Sequence, residues 1–133
     1  LSDLAVFAGS RIAQQAPREL PRVAQMMVAL VDGVLSQAGM PAEAGAAFAA
    51  HAQRVRDRVA RTDWLVIGKD EAAFTESPSG LVRWAPVMDE LKELDEEIVR
   101  NSIRFRWQEV RRELARHLDS GKLLGAMPDP ARR

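Results

Sequence analysis

The chain of 133 residues contains no cysteine and no tyrosine. The absence of cysteine excludes disulfides, thiolate metal sites and cysteine nucleophiles, and it suits a reducing compartment such as the cytoplasm, where we expect the protein. Nineteen basic residues balance nineteen acidic ones. Because the net charge is zero, no global field draws the protein to nucleic acid or to an anionic membrane. A partner of that kind must use a local patch.

Long apolar runs are also absent. The most apolar segment, residues 23–35, is interrupted by Gln25 and Asp32 and covers about half the length that a membrane-spanning helix needs. We therefore expect no transmembrane segment. The chain opens Leu-Ser-Asp without an initiator methionine, which indicates a fragment, a processed form or missing leading residues. Its length suits a single domain over residues 1–133, which can bury about two-thirds of its unfolded surface.

The sequence lacks the motifs of catalysis and of metal binding. It has neither a glycine-rich phosphate loop nor a nucleophile elbow. Glu113 and His117 lie four residues apart, but a carboxylate-bridged metal site in a bundle needs further glutamates and a second Glu-x-x-His unit, and this chain lacks that set. We therefore predict no catalytic residue, no metal and no cofactor, and a function that is not enzymatic.

The first segment predicts a short helix. Ser2 and Asp3 are candidate N-caps, and Leu4, Phe7 and Ile12 are spaced as one apolar face of a helix over residues 3–15. The next segment, from Pro21 to about Ala38, is apolar almost all round. It is therefore predicted to be the buried centre of a bundle or a shared element of an oligomer.

Gly39 and Pro41 separate this second helix from a third, predicted over residues 41–62, and the two should pack as an antiparallel pair. The end of the third helix is predicted to be exposed and carries Arg54, Arg56, Arg58 and Arg61. Residues 63–80 then interrupt the helical pattern and read as a long loop. We expect Trp64, Ile67 and Phe74 to anchor it on the bundle.

The last long segment, roughly residues 84–118, has two apolar stripes at helical spacing. The first comprises Trp84, Val87, Met88, Leu91, Leu94, Ile98 and Phe105, and the second comprises Val99, Ile103, Trp107, Val110, Leu114 and Leu118. The stripes are rotated by roughly 140° from each other. Either the helix breaks at Asn101 and Ser102, or it continues and buries two faces. Gly121 should end it, with a frayed tail over 122–133.

Charge along this segment is also divided. Six acidic residues oppose one lysine between positions 89 and 97, whereas six arginines oppose two glutamates between positions 100 and 116. Acid before base suits the helix macrodipole.

These patterns predict an all-α fold, a four-helix up-down bundle with a long loop between helices three and four. The leading functional hypothesis is a protein–protein interaction or oligomerisation module that uses the last helix, with a homodimer or another protein as the partner. The expected contact consists of Ile103, Trp107, Val110 and Leu114, with Arg104 and Arg111 as a charged rim. Aromatic residues and arginine dominate such contacts.

The alternative hypothesis is an accessory protein that binds DNA or RNA. Arg100, Arg104 and Arg111 share one face of the helix, where guanidiniums can grip successive phosphates. Local pairs such as Glu96 with Arg100 offer a purely structural explanation of the same charges. A third possibility is a small-ligand pocket lined by Met26, Met27 and Trp84, residues that also suit a core.

Overall fold

A computed structural model of the chain describes residues 1–39, 45–67, 73–84 and 88–126. This part of the chain contains six α-helices and no strand, so the all-α class is confirmed, with six helices where four are predicted. The up-down order stays a prediction. The helices are α1 (Ser2–Gln15), α2 (Leu20–Ala38), α3 (Gly45–Ala60), α4 (Glu76–Trp84), α5 (Asp89–His117) and α6 (Ser120–Gly125), and a 3₁₀ turn (Pro17–Glu19) joins the first two. No helix among the described residues is both long and apolar enough to cross a bilayer.

The central helix of the fold is α1. It packs against α2 and α3 on one side and against α4 and α5 on the other, and nine of its fourteen residues are buried. The sequence instead predicted α2 to be the buried centre of the bundle or a shared element of an oligomer. That helix keeps an outer face in solvent, where Leu30 is 47% and Val34 is 42% exposed. The apolar residues of α2 outnumber the positions that its neighbours cover.

Two apolar clusters share α1 between them. The larger unites α1, α2 and α3 through Ile12, Val23, Met26, Met27, Val31, Val55, Val59 and Trp64. Met26 and Met27 therefore belong to the core. The smaller cluster consists of Val6, Phe7, Ala73 and Phe74, against which Leu4, Ile67, Trp107 and Leu114 pack. It attaches α5 to α1.

The predicted anchors of the loop after α3 are in place. Trp64 is 4% and Phe74 6% exposed, and Ile67 packs against the smaller cluster. The predicted extent of that loop is wrong, because residues 76–80 belong to α4. Their turn-forming composition does not prevent a helix, since Pro78 stands in the first turn, where a missing N–H costs no intrahelical hydrogen bond. Residues 68–72 lie outside the described part of the chain.

The last long segment divides before Asp89 and not at Asn101. Helix α5 runs without a break through Asn101 and Ser102 for 29 residues, about 44 Å at 1.5 Å per residue. The helix is therefore continuous as the second alternative predicted, but it does not bury two faces, because Ile98 and Phe105 are 65% and 71% exposed. The sequence between α4 and α5 contains Pro86, and residues 85–87 lie outside the description.

The chain after α5 is tied to the bundle. Gly121 does not end the last long helix but lies inside α6, and Leu124 is 8% exposed within the larger cluster. The Nη2 atom of Arg22 donates a hydrogen bond of 2.8 Å to the carbonyl of Leu124. The predicted fraying is therefore wrong up to residue 126, because the segment has its own apolar anchor. Residues 127–133, like residues 40–44 at the start of the predicted third helix, lie outside the described part.

Candidate functional site

The three arginines predicted to bind phosphate line one cavity. It has a volume of about 380 Å³ and lies between α5 and the segment that leads into α4. Arg100, Arg104 and Arg111 reach it from α5, because residues four and seven apart share one face of a helix. The opposite wall carries Phe74, Thr75, Pro78 and Ser79. We call this space the arginine cavity.

Aromatic rings form part of its lining. The ring centroids of Phe74 and Trp107 lie 4.6 Å apart, and those of Phe7 and Phe74 lie 5.5 Å apart. The guanidinium carbon of Arg111 lies 5.8 Å from the centre of the Phe74 ring, within the range of a cation–π contact. Trp107 is therefore held from within the chain, and Arg111 is held above the same stack. Phe105 also lines the cavity, and its side chain is 71% exposed.

The electrostatic character of the cavity is basic. No carboxylate is among the described residues that line it. Arg100 forms an ion pair with Glu96, one turn earlier on α5. Within the described part of the chain Arg104 takes part in no ion pair and its side chain in no hydrogen bond. Two further donors are buried without an acceptor among the described residues, Nε of Arg100 and Nε1 of Trp107. The cavity thus offers more hydrogen-bond donors than the surrounding chain satisfies.

A buried ion pair fixes the wall opposite α5. Arg58 of α3 forms an ion pair with the fully buried carboxylate of Asp3. Its Nη2 atom donates to the carbonyl of Ala73 at 3.0 Å and to Oγ1 of Thr75 at 3.1 Å. The Asp3 carboxylate also accepts the backbone N–H of Ser77 at 2.6 Å. One network therefore connects α1, α3 and the entry to α4.

This network corrects two predictions. The side chain of Asp3 does not cap its own helix, whose N-cap residue is Leu1. It accepts N–H groups of Glu76 and Ser77 at the start of α4. The Arg58 side chain is 22% exposed and does not belong to a solvated helix end. Its guanidinium instead lies where α1, α3 and the entry to α4 meet, paired with Asp3 and hydrogen-bonded to Ala73 and Thr75.

The pKa of Asp3 lies below its ordinary value. Burial by itself raises this pKa, but the hydrogen bonds from Ser77 and Arg58 together with the charge of Arg58 outweigh burial. The carboxylate therefore stays ionised in the folded protein at pH values where it is already partly protonated in the unfolded chain. Its contribution to stability is present above the unfolded pKa of about 3.9 and is lost as pH falls through the lower folded value.

We expect this linkage to appear in urea unfolding of the wild type and Asp3→Asn. The difference in free energy of unfolding between them should be constant from about pH 7 to pH 5 and should shrink below about pH 4. Comparing the two proteins cancels the titration of the other carboxylates. A difference that grows on acidification would contradict the lowered pKa of Asp3.

The predicted interface residues lie on three surfaces that share Trp107. Trp107 and Leu114 pack against the smaller apolar cluster, so at least part of each side chain is covered by its own chain. Ile103, Trp107 and Val110 line a second groove of about 510 Å³ together with Leu81 and Ile98. Arg104 and Arg111, the predicted rim, line the arginine cavity. Three of the four predicted apolar contact residues thus line one groove, and the two predicted rim arginines line the neighbouring arginine cavity.

The outward side of α5 carries a different apolar set. Met88, Ile98 and Phe105 belong to the first stripe of the sequence and are 67%, 65% and 71% exposed. We call the surface around Ile98 and Phe105 the outer face of α5. Val87 lies outside the described residues, and the side chains of Trp84, Leu91 and Leu94 are not part of the description. Met88, Ile98 and Phe105 of the first stripe are therefore exposed, whereas Trp107 and Leu114 of the second stripe pack against the protein's own core.

The guanidiniums of this arrangement are suited to binding an anion. Arginine stays protonated and neither donates nor takes up a proton at neutral pH. Among the described residues, no group of three or more acidic or histidine side chains is placed to hold a metal. Nε2 of His117 lies 3.4 Å from Oε2 of Glu113 at the exposed end of α5.

The sequence predicted the side of the cavity formed by α5 but not the wall opposite it. The arginines were found by their spacing, whereas the wall of Phe74, Thr75, Pro78 and Ser79 depends on how the segment before α4 docks. Only the anchoring role of Phe74 has a signal in the sequence, as an isolated aromatic residue in a polar stretch.

No protein family matches this chain, and no curated protein or solved structure shows detectable similarity to it. The function is therefore inferred from the arginine cavity and the outer face of α5.

Proposed function

We propose that the protein is a non-enzymatic interaction module that forms a homodimer through the outer face of α5. The observation that supports this most is the exposure of Ile98 and Phe105, at 65% and 71%, on a continuous helix of 29 residues. Large apolar side chains repeated along one helix face are the usual sign of a protein contact. We assign the module to the cytoplasm, since a chain without cysteine suits a reducing compartment.

The spacing of these residues fits pairing with another helix. Ile98 and Phe105 are seven residues apart and therefore share one side of α5, about 180° from Trp107 at 100° per residue. A seven-residue apolar repeat is the pattern by which two helices pack along their length. Because Trp107 faces the protein's own core, the opposite side is accessible to a second chain.

The charges of α5 favour a second copy in antiparallel orientation. The half up to residue 97 is acidic and the half from residue 100 is basic. A parallel pair would set acid against acid and base against base, whereas an antiparallel pair sets each acidic half against a basic one. Two-fold symmetry produces this arrangement directly, because the same surface is used by both subunits.

The groove beside the outer face extends the apolar surface. It is lined by Leu81 of α4 and by Ile98 and Val110 of α5, and Leu81 and Val110 are 56% and 39% exposed. A partner helix on the outer face would cover part of this groove as well. The predicted contact residues Ile103 and Val110 would then contact the partner at the edge of the interface, with Trp107 packed beneath them.

Molar mass measured by light scattering on a sizing column tests the dimer. We expect the wild type to be dimeric at high micromolar loading and Ile98→Glu to be monomeric, with a dissociation constant raised by about tenfold or more. Each symmetric contact loses two apolar side chains and gains two buried charges. Ile98 is better suited to this test than Trp107, because a change at Trp107 also disturbs the packing on Phe74.

Val66→Glu is the matched control. Val66 follows α3, is 78% exposed and lies off α5, so the same change in charge and polarity should leave the mass unchanged. Raising the salt concentration should weaken the wild-type dimer, since opposed charges contribute to it. A wild type that is monomeric at every loading would rule out the proposed dimer.

Accessory nucleic-acid binding is the second candidate function. It is favoured by one observation, the convergence of Arg100, Arg104 and Arg111 on a single cavity. Replacing all three by glutamine should abolish a gel shift that weakens with salt, because phosphate contacts release counterions. If the wild type gives no shift at low salt, this candidate is excluded.

A further inference from the structure

We propose that the arginine cavity binds a nucleotide through its phosphate, either as a free mononucleotide or as one unit of a single-stranded nucleic acid. The proposal shares Phe105 with the outer face of α5, so a nucleotide stacked on that ring would compete with the proposed dimer. It rests in part on the second candidate function, to which it adds a defined site and a ligand class. The two sources share one chemistry, a phosphate ester joined to a planar base.

The phosphate would meet three guanidiniums and little opposing charge. Arg100, Arg104 and Arg111 line the cavity, and none of the described residues that line it carries a carboxylate. Arginine presents parallel N–H donors that match two oxygens of a phosphate. Arg104 is the central one of the three, and within the described chain it has no ion pair to give up. It is the residue whose change we expect to matter most.

Two buried donors indicate that the cavity is incomplete without a ligand. Nε of Arg100 and Nε1 of Trp107 have no acceptor among the described residues, and both side chains line the cavity. A buried donor without a partner costs free energy. A ligand rich in acceptor oxygens would supply what these groups lack after a small adjustment of the lining.

The remaining lining suits the base of a nucleotide. The volume of about 380 Å³ falls in the range of about 300–1,000 Å³ typical of small-ligand pockets, larger than inorganic phosphate needs. Phe105 offers an exposed ring for stacking. Asn101 and Gln108 also line the cavity, and their amides can donate to and accept from the edge of a base. The cavity therefore offers guanidiniums to the phosphate, an aromatic ring to the face of the base, and amide groups to the edge of the base.

Binding is measured by calorimetry with the four mononucleotides, with inorganic phosphate and with an unphosphorylated nucleoside, and by fluorescence anisotropy with a labelled ten-residue oligothymidine. We expect a mononucleotide to bind more tightly than inorganic phosphate or nucleoside alone. Arg104→Gln should weaken binding by about tenfold and should lower the salt slope of oligonucleotide binding by about one.

Arg106→Gln is the matched control. Arg106 lies on the same helix, is exposed, lines other grooves and not this cavity, and its loss changes the net charge equally. We expect binding within about twofold of the wild type. Glu96→Gln should tighten binding, because it removes the carboxylate that competes for Arg100. Ile98→Glu, which prevents the proposed dimer and does not line the cavity, should bind at least as tightly as the wild type, because no partner then covers Phe105.

The outcomes separate the site from the second candidate function. Mononucleotide binding that depends on Arg104 supports the site even if the oligonucleotide binds no more tightly, and in that case nucleic-acid binding fails alone. If Arg104→Gln and Arg106→Gln weaken oligonucleotide binding equally, the oligonucleotide is attracted to the basic half of α5 in general. That result would overturn the proposal that the arginine cavity is the binding site. Equal affinity for inorganic phosphate and mononucleotide overturns the ligand class. Loss of binding in Ile98→Glu overturns the assignment to one chain's cavity.

Discussion

Replacing Arg58 with methionine should lower the free energy of unfolding by about 3–5 kcal/mol at pH 7, the cost typical of removing one partner from a buried ion pair. Methionine keeps much of the apolar stem but leaves the buried Asp3 carboxylate without its counter-charge. The change also removes the hydrogen bonds to the Ala73 carbonyl and to Thr75. Because small proteins are stable by only about 5–15 kcal/mol, the loss should be evident in urea or thermal unfolding.

Arg56→Met is the matched control on the same helix. Nε of Arg56 lies 2.6 Å from Oδ1 of Asp32, but the two side chains are 35% and 49% exposed. Exposed pairs contribute about 0–1 kcal/mol, so this change should cost little. If the two variants were equally destabilised, the burial of Asp3 would have no energetic consequence and the network at the entry to α4 would be misassigned.

The same residues determine how well the site is formed. Arg58 holds the segment around Ala73 and Thr75, which lies against the arginine cavity, and Asp3 holds the first turn of α4. In Arg58→Met we therefore expect reduced nucleotide affinity as well as reduced stability. Thr75→Val removes one acceptor of this network and should reproduce a small part of the loss of stability.

The first two helices follow from local signals in the sequence. Pro17 and Pro21 punctuate the chain, Gly39 adopts a φ of +66° that favours glycine, and the apolar spacing between them is regular. The predicted bounds of α1 and α2 accordingly differ from the observed ones by a single residue at each start. Such signals act over a few residues and need no knowledge of the tertiary structure.

Helix α4 was not predicted from the sequence, because the group that caps it lies far away in the chain. Its first N–H groups are accepted by Asp3, which lies 73 and 74 residues away in the chain. The local sequence of Ser77, Pro78, Ser79 and Gly80 suggests a turn, and the capping group is supplied by another helix. A prediction from sequence windows has no access to that partner.

The candidate site was predicted in part for a similar reason. The arginines at positions 100, 104 and 111 share a face because helical geometry requires it. Which of the two stripes of α5 faces the protein depends on the docking of Phe74 against Trp107, at 4.6 Å between ring centroids. Periodicity identifies stripes equally well on either side of a helix and does not say which one is buried.

Gly9→Ala should destabilise the protein by about 1–3 kcal/mol, the usual cost of overpacking a core. A Cβ atom at residue 9 would lie 2.7 Å from Cε3 of Trp64 and 2.9 Å from Cγ of Met27. Both side chains are buried in the larger cluster, Trp64 at 4% and Met27 at 2% exposure. The gain in helix propensity from alanine, about 1 kcal/mol, is too small to offset these contacts if neither neighbour can move.

Gly33→Ala provides a control of opposite sign. Gly33 also lies inside a helix, and a Cβ there meets nothing within 4 Å, so alanine should stabilise by about 0.5–1 kcal/mol. Thermal or urea unfolding of the two variants separates close packing from propensity.

A double mutant tests whether Trp64 is the reason for glycine at position 9. Trp64→Phe removes the ring atoms nearest to residue 9. The loss of stability caused by Trp64→Phe should therefore be smaller in the Gly9→Ala background than in the wild type, with a coupling of about 1 kcal/mol or more. If the two changes were additive, Trp64 would not be the reason that glycine is required at position 9, and the contact between α1 and the segment after α3 would have to be looser than the structure places it.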